Sequence, residues 1–339
     1  MGTYASEVVS EYICKTPVIF IFFNRPNTMK QVLEQIRRVK PEKLYLVADG
    51  PRSEEELDKV KECRCIVDKM IDWNCQVIKV YAEKNLGCRN RVSSGISFVL
   101  EREEKAIILE DDCVPNISFF RFMEEMLEFY KNDEDVYLVS GRNHFGKYDD
   151  KRYDYHFSNH ISVWGWGTWA RSWRLYDINM TYWPEIRRKK GGHLREWMGW
   201  KEWMCRRKSF DDTYKAKINT WDYQLELAMI FNRKISIVPS NNLIRNIGNG
   251  IDATHTMKED NLINVPAYEL TFPLRHPKTI VVNAKYDKLY SKMFIEKGAL
   301  KNSIYRNIKE FLKILTGKEI SKKDLLLFAK KLYAKSTTR

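Results

Sequence analysis

The sequence lacks the short motifs that define several large functional classes. No Gly-x-Gly-x-x-Gly follows its first apolar run and no Walker lysine motif occurs, so an NAD-type dehydrogenase and a P-loop NTPase are both disfavoured. Its seven cysteines include no Cys-x-x-Cys pair, which leaves a zinc ribbon and a thioredoxin-like site without support. Free thiols in a reducing compartment are the simplest expectation.

Membrane-spanning and targeting segments are also missing from the sequence. No apolar stretch approaches the roughly 18–20 residues that a bilayer-spanning helix needs, and the first residues do not form a signal peptide. We therefore expect a cytoplasmic protein.

Positive charge is abundant but unevenly distributed. The 339 residues carry a net charge of +13, and residues 301–339 alone hold eleven Lys/Arg against three Asp/Glu, a net of +8. The basic character is mostly a property of this tail, so it gives no reason to regard the main part as a nucleic-acid binder. Hydrophobic residues make up 44% of the chain, which is enough for a substantial core.

Fully apolar runs alternate with amphipathic segments over the first 110 residues. The runs at 17–23, 44–48, 76–81 and 106–109 predict buried strands, and 28–39, 54–71 and 90–101 predict helices. This alternation predicts an α/β fold with a mainly parallel sheet flanked by helices. In such sheets ligands bind at the carboxyl ends of the strands, so the residues that follow each run are the candidate site.

Polar residues follow each of the predicted strands. Three consecutive acids, Glu110, Asp111 and Asp112, end the fourth run and would repel one another unless a cation or hydrogen bonds offset their charge. A divalent cation site is one interpretation, and an acidic turn or a cap for the next helix is the other. Arginines at the same edge can bind phosphate, and an Asp can accept a hydrogen bond from a base or ribose. The other candidates are Asn24, Arg25, Asp49, Arg52, Asn85, Arg89 and Arg91.

The second half of the chain contains further strands, at 135–141 and 234–239, and an unusual run of tryptophans and glycines at 164–169. Such a run suits a wall against a sugar ring, and a packed core with a β-bulge explains it equally well. Asp222 precedes an apolar helix, where an acid can be a simple cap or a functional base. A glycine-rich loop at 246–255 ends in His255.

The segment after residue 285 differs in kind from the rest. Apolar residues mark one face of a helix at 304–315 and of another at 325–332, and lysines fill the opposite faces. Such a basic amphipathic pair can lie on an anionic membrane or pack on the main domain. We expect a domain at 1–285, with a nucleotide-binding half at about 16–115 and an acceptor half at about 140–285, and a basic helical extension at 286–339.

These features together resemble the GT-A class of nucleotide-sugar glycosyltransferases. The likeness is to bacterial capsule and lipopolysaccharide enzymes related to the N-acetylglucosaminyltransferase I group. It runs from about Thr16 to His255 and rests on the order of the motifs. The motifs are Phe23-Asn24-Arg25-Pro26, Asp49-Gly50, Asn85-Leu86-Gly87, Glu110-Asp111-Asp112, Trp164-Gly165-Trp166-Gly167-Thr168-Trp169, Trp221-Asp222 and the loop ending at His255.

The resemblance implies a role for each matching residue. Asp112 would bind Mn²⁺ or Mg²⁺, His255 would complete the metal shell, and Asp222 would be the catalytic base of an inverting transfer. Glu110 and Asp111 would contact the donor sugar or ribose of a UDP-sugar. The residues implied for the nucleotide are Phe22, Asn24, Arg25, Asp49, Asn85 and Arg89, and Trp164, Trp166 and Trp221 would contact the donor or acceptor sugar.

The expected function is therefore metal-dependent transfer of a hexose or N-acetylhexosamine to a glycan or lipid-linked glycan in surface polysaccharide synthesis. The basic tail predicts peripheral attachment to the inner face of the cell membrane. One alternative is a sugar nucleotidyltransferase, although such enzymes resemble one another in a glycine-rich, basic loop where this chain has Phe-Asn-Arg-Pro. The other is a non-enzymatic protein that binds membranes or polyanions.

Overall fold

A computed structural model describes residues 12–148, 152–248 and 265–296 of the protein. Its central element is an eight-stranded sheet, and a two-stranded sheet lies beside it. The ten strands are β1 Val18–Phe22, β2 Lys43–Ala48, β3 Gln76–Tyr81, β4 Lys105–Glu110, β5 Cys113–Pro115, β6 Val136–Ser140, β7 Tyr155–Ser158, β8 Trp166–Trp169, β9 Ile235–Pro239 and β10 Ile244–Asn246.

Helices cover both faces of the large sheet. They are α1 Pro26–Val39, α2 Glu54–Met70, α3 Gly87–Leu100, α4 Ile117–Phe129, α5 Ala170–Trp173, α6 Trp183–Arg188, α7 Gly192–Met198, α8 Trp200–Tyr214, α9 Asp222–Phe231 and α10 Ala284–Tyr290, with a π-helical segment at Ser291–Glu296.

The first half of the sheet is parallel, as the sequence predicts. β1 lies between β2 and β4, and β3 forms the edge beside β2, all in parallel pairing. Every residue of β1 is buried because helices cover both faces of the sheet, which explains the uninterrupted apolar run. The carboxyl ends of β1, β2, β3 and β4 therefore share one edge.

The second half of the sheet mixes the two directions. β8 pairs antiparallel with both β4 and β6, β6 pairs parallel with β9, and β7 closes the sheet antiparallel to β9. Four of the seven strand pairings are thus parallel, which confirms a mainly parallel sheet.

Helix α1 shows how local sequence sets the elements. Pro26 occupies its first turn, where a missing N–H costs no hydrogen bond. The helix ends at Lys40, which adopts a left-handed conformation (φ 42°) and donates its N–H to Ile36 O. The buried side chains lie on the single face that packs on the sheet. They are Met29, Val32, Leu33, Ile36 and Val39.

The C-terminal described segment belongs to the packed domain. Tyr286 is buried, and the Asp287 carboxylate accepts hydrogen bonds from Ser158 Oγ (2.5 Å) and Asn159 N (3.0 Å). Tyr290 stacks on His160 with ring centroids 4.4 Å apart. The expected boundary at 285 falls inside α10, so the domain continues at least to Glu296. The two basic helices predicted from 304 onward lie outside the described residues.

Two further observations bear on the sequence-based expectations. None of the seven cysteines forms a disulfide. Across 12–148, 152–248 and 265–296, no helix combines the length and the apolar character that crossing a bilayer requires.

Candidate active site

The three acids stand at the carboxyl end of β4, and two of them, Asp111 and Asp112, contact the turn that follows β1. The Asp111 carboxylate is buried and accepts a hydrogen bond from Phe23 N (3.2 Å). Arg25 forms ion pairs with Asp111 Oδ1 through Nη2 and with Asp112 Oδ2 through Nη1, the latter at 3.0 Å. The structure thus brings Arg25, Asp111 and Asp112 into direct contact, although they lie more than 80 residues apart in sequence.

Burial and the closeness of the three acids shift the pKa values of Glu110, Asp111 and Arg25. Burial and then the charges of Asp112 and Asp111 raise the pKa of Glu110, and Arg25 only partly opposes them. Burial also raises the pKa of Asp111, against the lowering effect of Arg25. Burial lowers the pKa of the Arg25 guanidinium, but the two aspartates outweigh it and raise that pKa above its usual value. One guanidinium therefore does not fully offset the three carboxylates.

A glycine-rich segment passes directly beside Asp112. β10 pairs with β5, which aligns Asn246 with Cys113, and Ile247 N donates to Asp112 O (2.8 Å). A Cβ added to Gly248 would stand 2.3 Å from Asp112 Oδ2, so only glycine fits here without displacing the carboxylate. His255 lies outside the described residues, seven positions after Gly248.

Oxygen ligands at this edge fit a hard divalent cation. Among the described residues, no group of three or more His, Cys, Asp or Glu side chains could hold a metal ion by itself. Mg²⁺ is commonly bound by one or two carboxylates together with substrate phosphates, so a complete protein cage is not required. Asp112, whose side chain is 19% exposed, can offer an oxygen to such an ion. A cation would also relieve the repulsion that raises the pKa of Glu110.

Asp49 and Asn85 organise the loops at the ends of β2 and β3. The Asp49 carboxylate accepts hydrogen bonds from Gly50 N (2.9 Å), Leu86 N (2.8 Å) and Gly87 N (3.0 Å). Asn85 Nδ2 donates to Gly50 O (2.8 Å). A carboxylate has about four lone-pair sites, so these contacts leave room for a further donor from a nucleotide. Nucleotide binding by both residues stays a prediction.

We expect Gly50→Ala to destabilise the protein by about 1–3 kcal/mol through overpacking. The added Cβ would stand 2.5 Å from Lys84 C and 2.7 Å from Glu83 O, both backbone atoms that cannot rotate away. Denaturant unfolding would measure the loss. Ser53→Ala is the control, because Ser53 is exposed and makes no side-chain cap hydrogen bond; equal stabilities of the two variants would contradict the expectation.

The remaining residues predicted for the nucleotide differ in their accessibility. Phe22 is buried, and its ring packs edge-on against Tyr81, with ring centroids 6.1 Å apart. It therefore belongs to the core beneath the turn that follows β1. Asn24 Nδ2 donates to Glu56 Oε1 (3.1 Å). Arg89 donates through Nη2 to Ile178 O and through its backbone N to Asn219 Oδ1 (3.1 Å), which ties the start of α3 to the segments that flank α6–α8.

Asp222 is the first residue of α9 and faces the same edge as the three acids. Its charge is among those that raise the pKa of Glu110. Its Oδ1 accepts hydrogen bonds from Thr220 Oγ1 and Tyr223 N (2.9 Å). Asp222 Oδ2 accepts no hydrogen bond from the described residues, and the residue is half-buried. Hydrogen bonds to Oδ1 thus fix the orientation of the carboxylate, and Oδ2 is left free to accept a proton or hydrogen bond from a ligand.

The structure adds Cys88, which the sequence did not single out, to this edge and shows the place of the Phe23 ring. Cys88, in the first turn of α3, lies within range of four carboxylates. The pKa of its thiol is raised to about 12, first by burial and then by the charges of Glu110, Asp222, Asp49 and Asp112. The thiol is therefore uncharged at neutral pH. Phe23 presents a half-exposed ring with the Arg52 guanidinium 5.3 Å from its centroid. A lone cysteine carries no distinctive sequence signal, whereas Phe23 belongs to the Phe-Asn-Arg-Pro motif.

Two of the three predicted sugar-contacting tryptophans are core residues. Trp166 is fully buried and stacks on the equally buried Trp221, with ring centroids 5.6 Å apart. Gly165 is packed separately, in the other core cluster, where an added Cβ would stand 2.3 Å from Ile244 Cδ1. The packed-core interpretation therefore holds for Trp166 and Trp221. Trp164 is only partly buried and lies under the Arg142 guanidinium at 3.9 Å.

Comparison with known proteins finds solved structures that resemble this chain at low sequence identity. No protein-family profile and no curated protein sequence matches the chain. The apo-form glycosyltransferase GlyE of Streptococcus pneumoniae TIGR4 is 13% identical over 66% of this chain and 44% of its own, with a TM-score of 0.32. TarS 1–349 of S. aureus is 12% identical over 68% and 59%, with a TM-score of 0.37. The galactosyltransferase LgtC, in complex with donor and acceptor sugar analogs, is 12% identical over 63% and 70%, with a TM-score of 0.31.

This chain thus spans less than half of GlyE and about three fifths of the TarS fragment. With TM-scores below 0.5, these likenesses assign neither a family nor an activity to it.

Proposed function

We propose that the protein is an inverting, metal-dependent glycosyltransferase that moves a sugar from a UDP-sugar to a hydroxyl of a glycan or lipid-linked glycan. The observation that carries the proposal is the separation of two kinds of carboxylate at one sheet edge. Glu110, Asp111 and Asp112 form one group, the acidic cluster, whose mutual repulsion a bound cation would reduce. Asp222 lies nearby, and one of its carboxylate oxygens is free to accept a proton. Departure of a nucleoside diphosphate requires a cation at the first site, and deprotonation of the acceptor hydroxyl requires a free carboxylate such as that of Asp222.

The residues at the carboxyl ends of β1–β4 would bind the metal ion and the nucleoside diphosphate of the donor. Asp112 and His255 would hold Mn²⁺ or Mg²⁺, which supplies Lewis-acid stabilisation of the departing diphosphate when bound. Arg25 is placed to contact the same diphosphate, because a guanidinium matches the geometry of phosphate oxygens. Asp49, Asn85 and the Phe23 ring line the neighbouring strand ends, where a base and ribose would lie.

Asp222 acts as the general base in this proposal. The acceptor oxygen forms a bond to the anomeric carbon while the bond from that carbon to the diphosphate oxygen breaks. The acceptor proton passes to Asp222 Oδ2, and the hydrogen bonds from Thr220 and Tyr223 hold the carboxylate in place. An attack opposite to the leaving group inverts the anomeric configuration.

A screen of nucleotide sugars for metal-dependent hydrolysis and transfer tests the proposal. Release of UDP from one donor in the presence of Mn²⁺, and its loss with EDTA, would support it. Proton NMR of the product would report the anomeric configuration, and retention would rule out the role assigned to Asp222. UDP binding without turnover of any donor would favour the non-enzymatic alternative, and pyrophosphate-dependent formation of a nucleoside triphosphate would favour a nucleotidyltransferase.

We further propose that the basic tail brings the enzyme to a lipid-linked acceptor at the inner face of the membrane. The support is the net charge of +8 over 301–339 and the amphipathic spacing of its apolar residues. Each Lys or Arg near an anionic surface contributes about 1 kcal/mol.

Deletion of residues 300–339 is expected to abolish most binding to vesicles that contain anionic lipid, while transfer to a soluble acceptor changes by less than the vesicle binding does. Vesicle co-sedimentation and a soluble-acceptor assay measure the two quantities. Vesicles of neutral phosphatidylcholine are the control and should bind neither form. Equal binding of the full and shortened chains to anionic vesicles would refute the membrane role.

A further inference from the structure

Arg25 is the resident cation of the acidic cluster. Its Nη1 lies 3.0 Å from Asp112 Oδ2, and its Nη2 contacts Asp111 Oδ1. The side chain is only 21% exposed. The other Asp111 oxygen accepts a hydrogen bond from Phe23 N, so the turn after β1 holds both the cation and one of its acids.

A divalent ion at Asp112 would compete with this guanidinium. A Mg²⁺–oxygen bond is roughly 2.1 Å long, which is shorter than the contact that Arg25 makes with Asp112 Oδ2. Gly248 lies so close to the same oxygen that a Cβ there would be 2.3 Å away, so that side of the carboxylate is also occupied. An ion and a guanidinium on one oxygen would repel each other in this partly buried place.

A nucleoside diphosphate removes the conflict. Its phosphate oxygens can accept the guanidinium in a bidentate pair and at the same time bind the metal ion. Arg25 would then leave Asp112 for the diphosphate, and Asp112 Oδ2 would become available to the ion. Arg25 belongs to the turn after β1, and its guanidinium reaches the acids at the end of β4. One movement of this side chain would therefore serve both the diphosphate and the metal ion.

We propose that Arg25 makes the site selective for a metal–nucleoside diphosphate complex over the free metal ion. This inference rests on the proposed function and adds a binding order to it: the ion is excluded until the nucleotide arrives. Coupling of this kind is reciprocal, so the metal must increase nucleotide affinity by the factor by which the nucleotide increases metal affinity.

Titration of Mn²⁺ into the full-length protein with and without UDP, followed by electron paramagnetic resonance of free Mn²⁺, tests the proposal without turnover. In the wild type we expect UDP to increase Mn²⁺ affinity by about 10-fold or more, within the range of typical coupling factors. In Arg25→Gln the affinity for Mn²⁺ without UDP should rise about 10-fold, and the increase caused by UDP should shrink by the same factor, to what the phosphate ligands alone contribute. Arg25→Lys keeps a positive charge and should keep Mn²⁺ affinity low without UDP.

Arg37→Gln is the matched control. Arg37 lies at the other end of α1, where it pairs with Asp72, and both side chains are largely exposed. This variant should reproduce the wild-type titrations. Circular dichroism would verify the fold of Arg25→Gln. If that variant does not fold, Arg25→Lys still tests the inference, because tighter binding of Mn²⁺ without UDP by this variant than by the wild type would overturn it.

The possible failures are distinguishable. Equal Mn²⁺ affinity of the wild type with and without UDP, in a protein that hydrolyses a UDP-sugar, would overturn the role of Arg25 and leave the proposed function intact. Absence of any UDP binding or donor hydrolysis would overturn the proposed function itself. An unchanged or lower Mn²⁺ affinity of folded Arg25→Gln without UDP would also overturn the inference.

Discussion

Replacing Asp222 by Asn is expected to lower the kcat of sugar transfer by about 10²–10⁴-fold, the usual contribution of a general base. The amide keeps the size of the side chain and can still accept hydrogen bonds from Thr220 and Tyr223, but it cannot take the acceptor proton. Donor binding should change little, because Asp222 is separate from the Arg25–Asp111–Asp112 contacts. Steady-state kinetics with a purified donor and isothermal titration with UDP measure the two effects.

Asp135→Asn provides the matched control for this substitution. Asp135 precedes β6, its side chain is 77% exposed, and its nearest cation, Lys234, is 3.8 Å away. It should retain full activity. If Asp222→Asn kept near wild-type transfer while Asp135→Asn behaved in the same way, Asp222 could not be the base, and inversion would lose its structural basis.

Replacing Asp112 by Asn is expected to abolish most metal-dependent nucleotide binding. Loss of an outer-shell partner of a metal ligand typically costs roughly 10–100-fold in metal affinity, and loss of the carboxylate ligand itself should cost at least as much. The reason is that Asp112 stands at the end of β4 beside Gly248 with a partly exposed side chain, whereas Asp111 is buried. Titration of UDP at fixed Mn²⁺ measures the change.

The same titration in EDTA gives the reference for the Asp112 variant. Asp112→Asn with Mn²⁺ should resemble the wild type in EDTA, whereas Asp135→Asn with Mn²⁺ should resemble the untreated wild type. Metal-dependent UDP affinity that survived in Asp112→Asn would show that the ion is held elsewhere, and the role of the acidic cluster would have to be withdrawn.

The parallel half of the sheet and its functional edge could be predicted from sequence because both depend on local patterns. A strand buried on both faces must be apolar throughout, so β1 and β4 appear as continuous apolar runs. Parallel crossovers then place the residues after β1, β2, β3 and β4 on one edge without further information. The contact of Arg25 with Asp111 and Asp112 follows from that topology.

The roles of the tryptophans could not be predicted in the same way. Aromatic residues alternating with glycine fit a sugar-binding wall and a tight core equally well, and the deciding contacts come from distant segments. Gly165 packs on Ile244, and Trp166 stacks on Trp221, 55 positions later. Which alternative holds depends on tertiary packing, which the pattern of a short segment does not contain.

The contacts that hold residues 284–296 on the sheet could not be predicted, for a related reason. Lys278 is the only lysine in residues 265–284, whereas lysines recur from Lys285 onward, so composition alone marks a division near residue 285. The contacts of Asp287 with Ser158 and of Tyr290 with His160 are single long-range pairs without any periodic signal. They attach residues 284–296 to the edge of the sheet beside β7.

Hydrolysis of a set of nucleotide sugars by the purified full-length protein, with Mn²⁺ and with EDTA, is the decisive experiment for the proposed sugar transfer. The account predicts that at least one UDP-sugar releases UDP with Mn²⁺ and that EDTA stops the release. It also predicts that Asp112→Asn loses this release and that Asp135→Asn keeps it. Failure of every nucleotide sugar to bind or to release its nucleotide with Mn²⁺ would contradict the account.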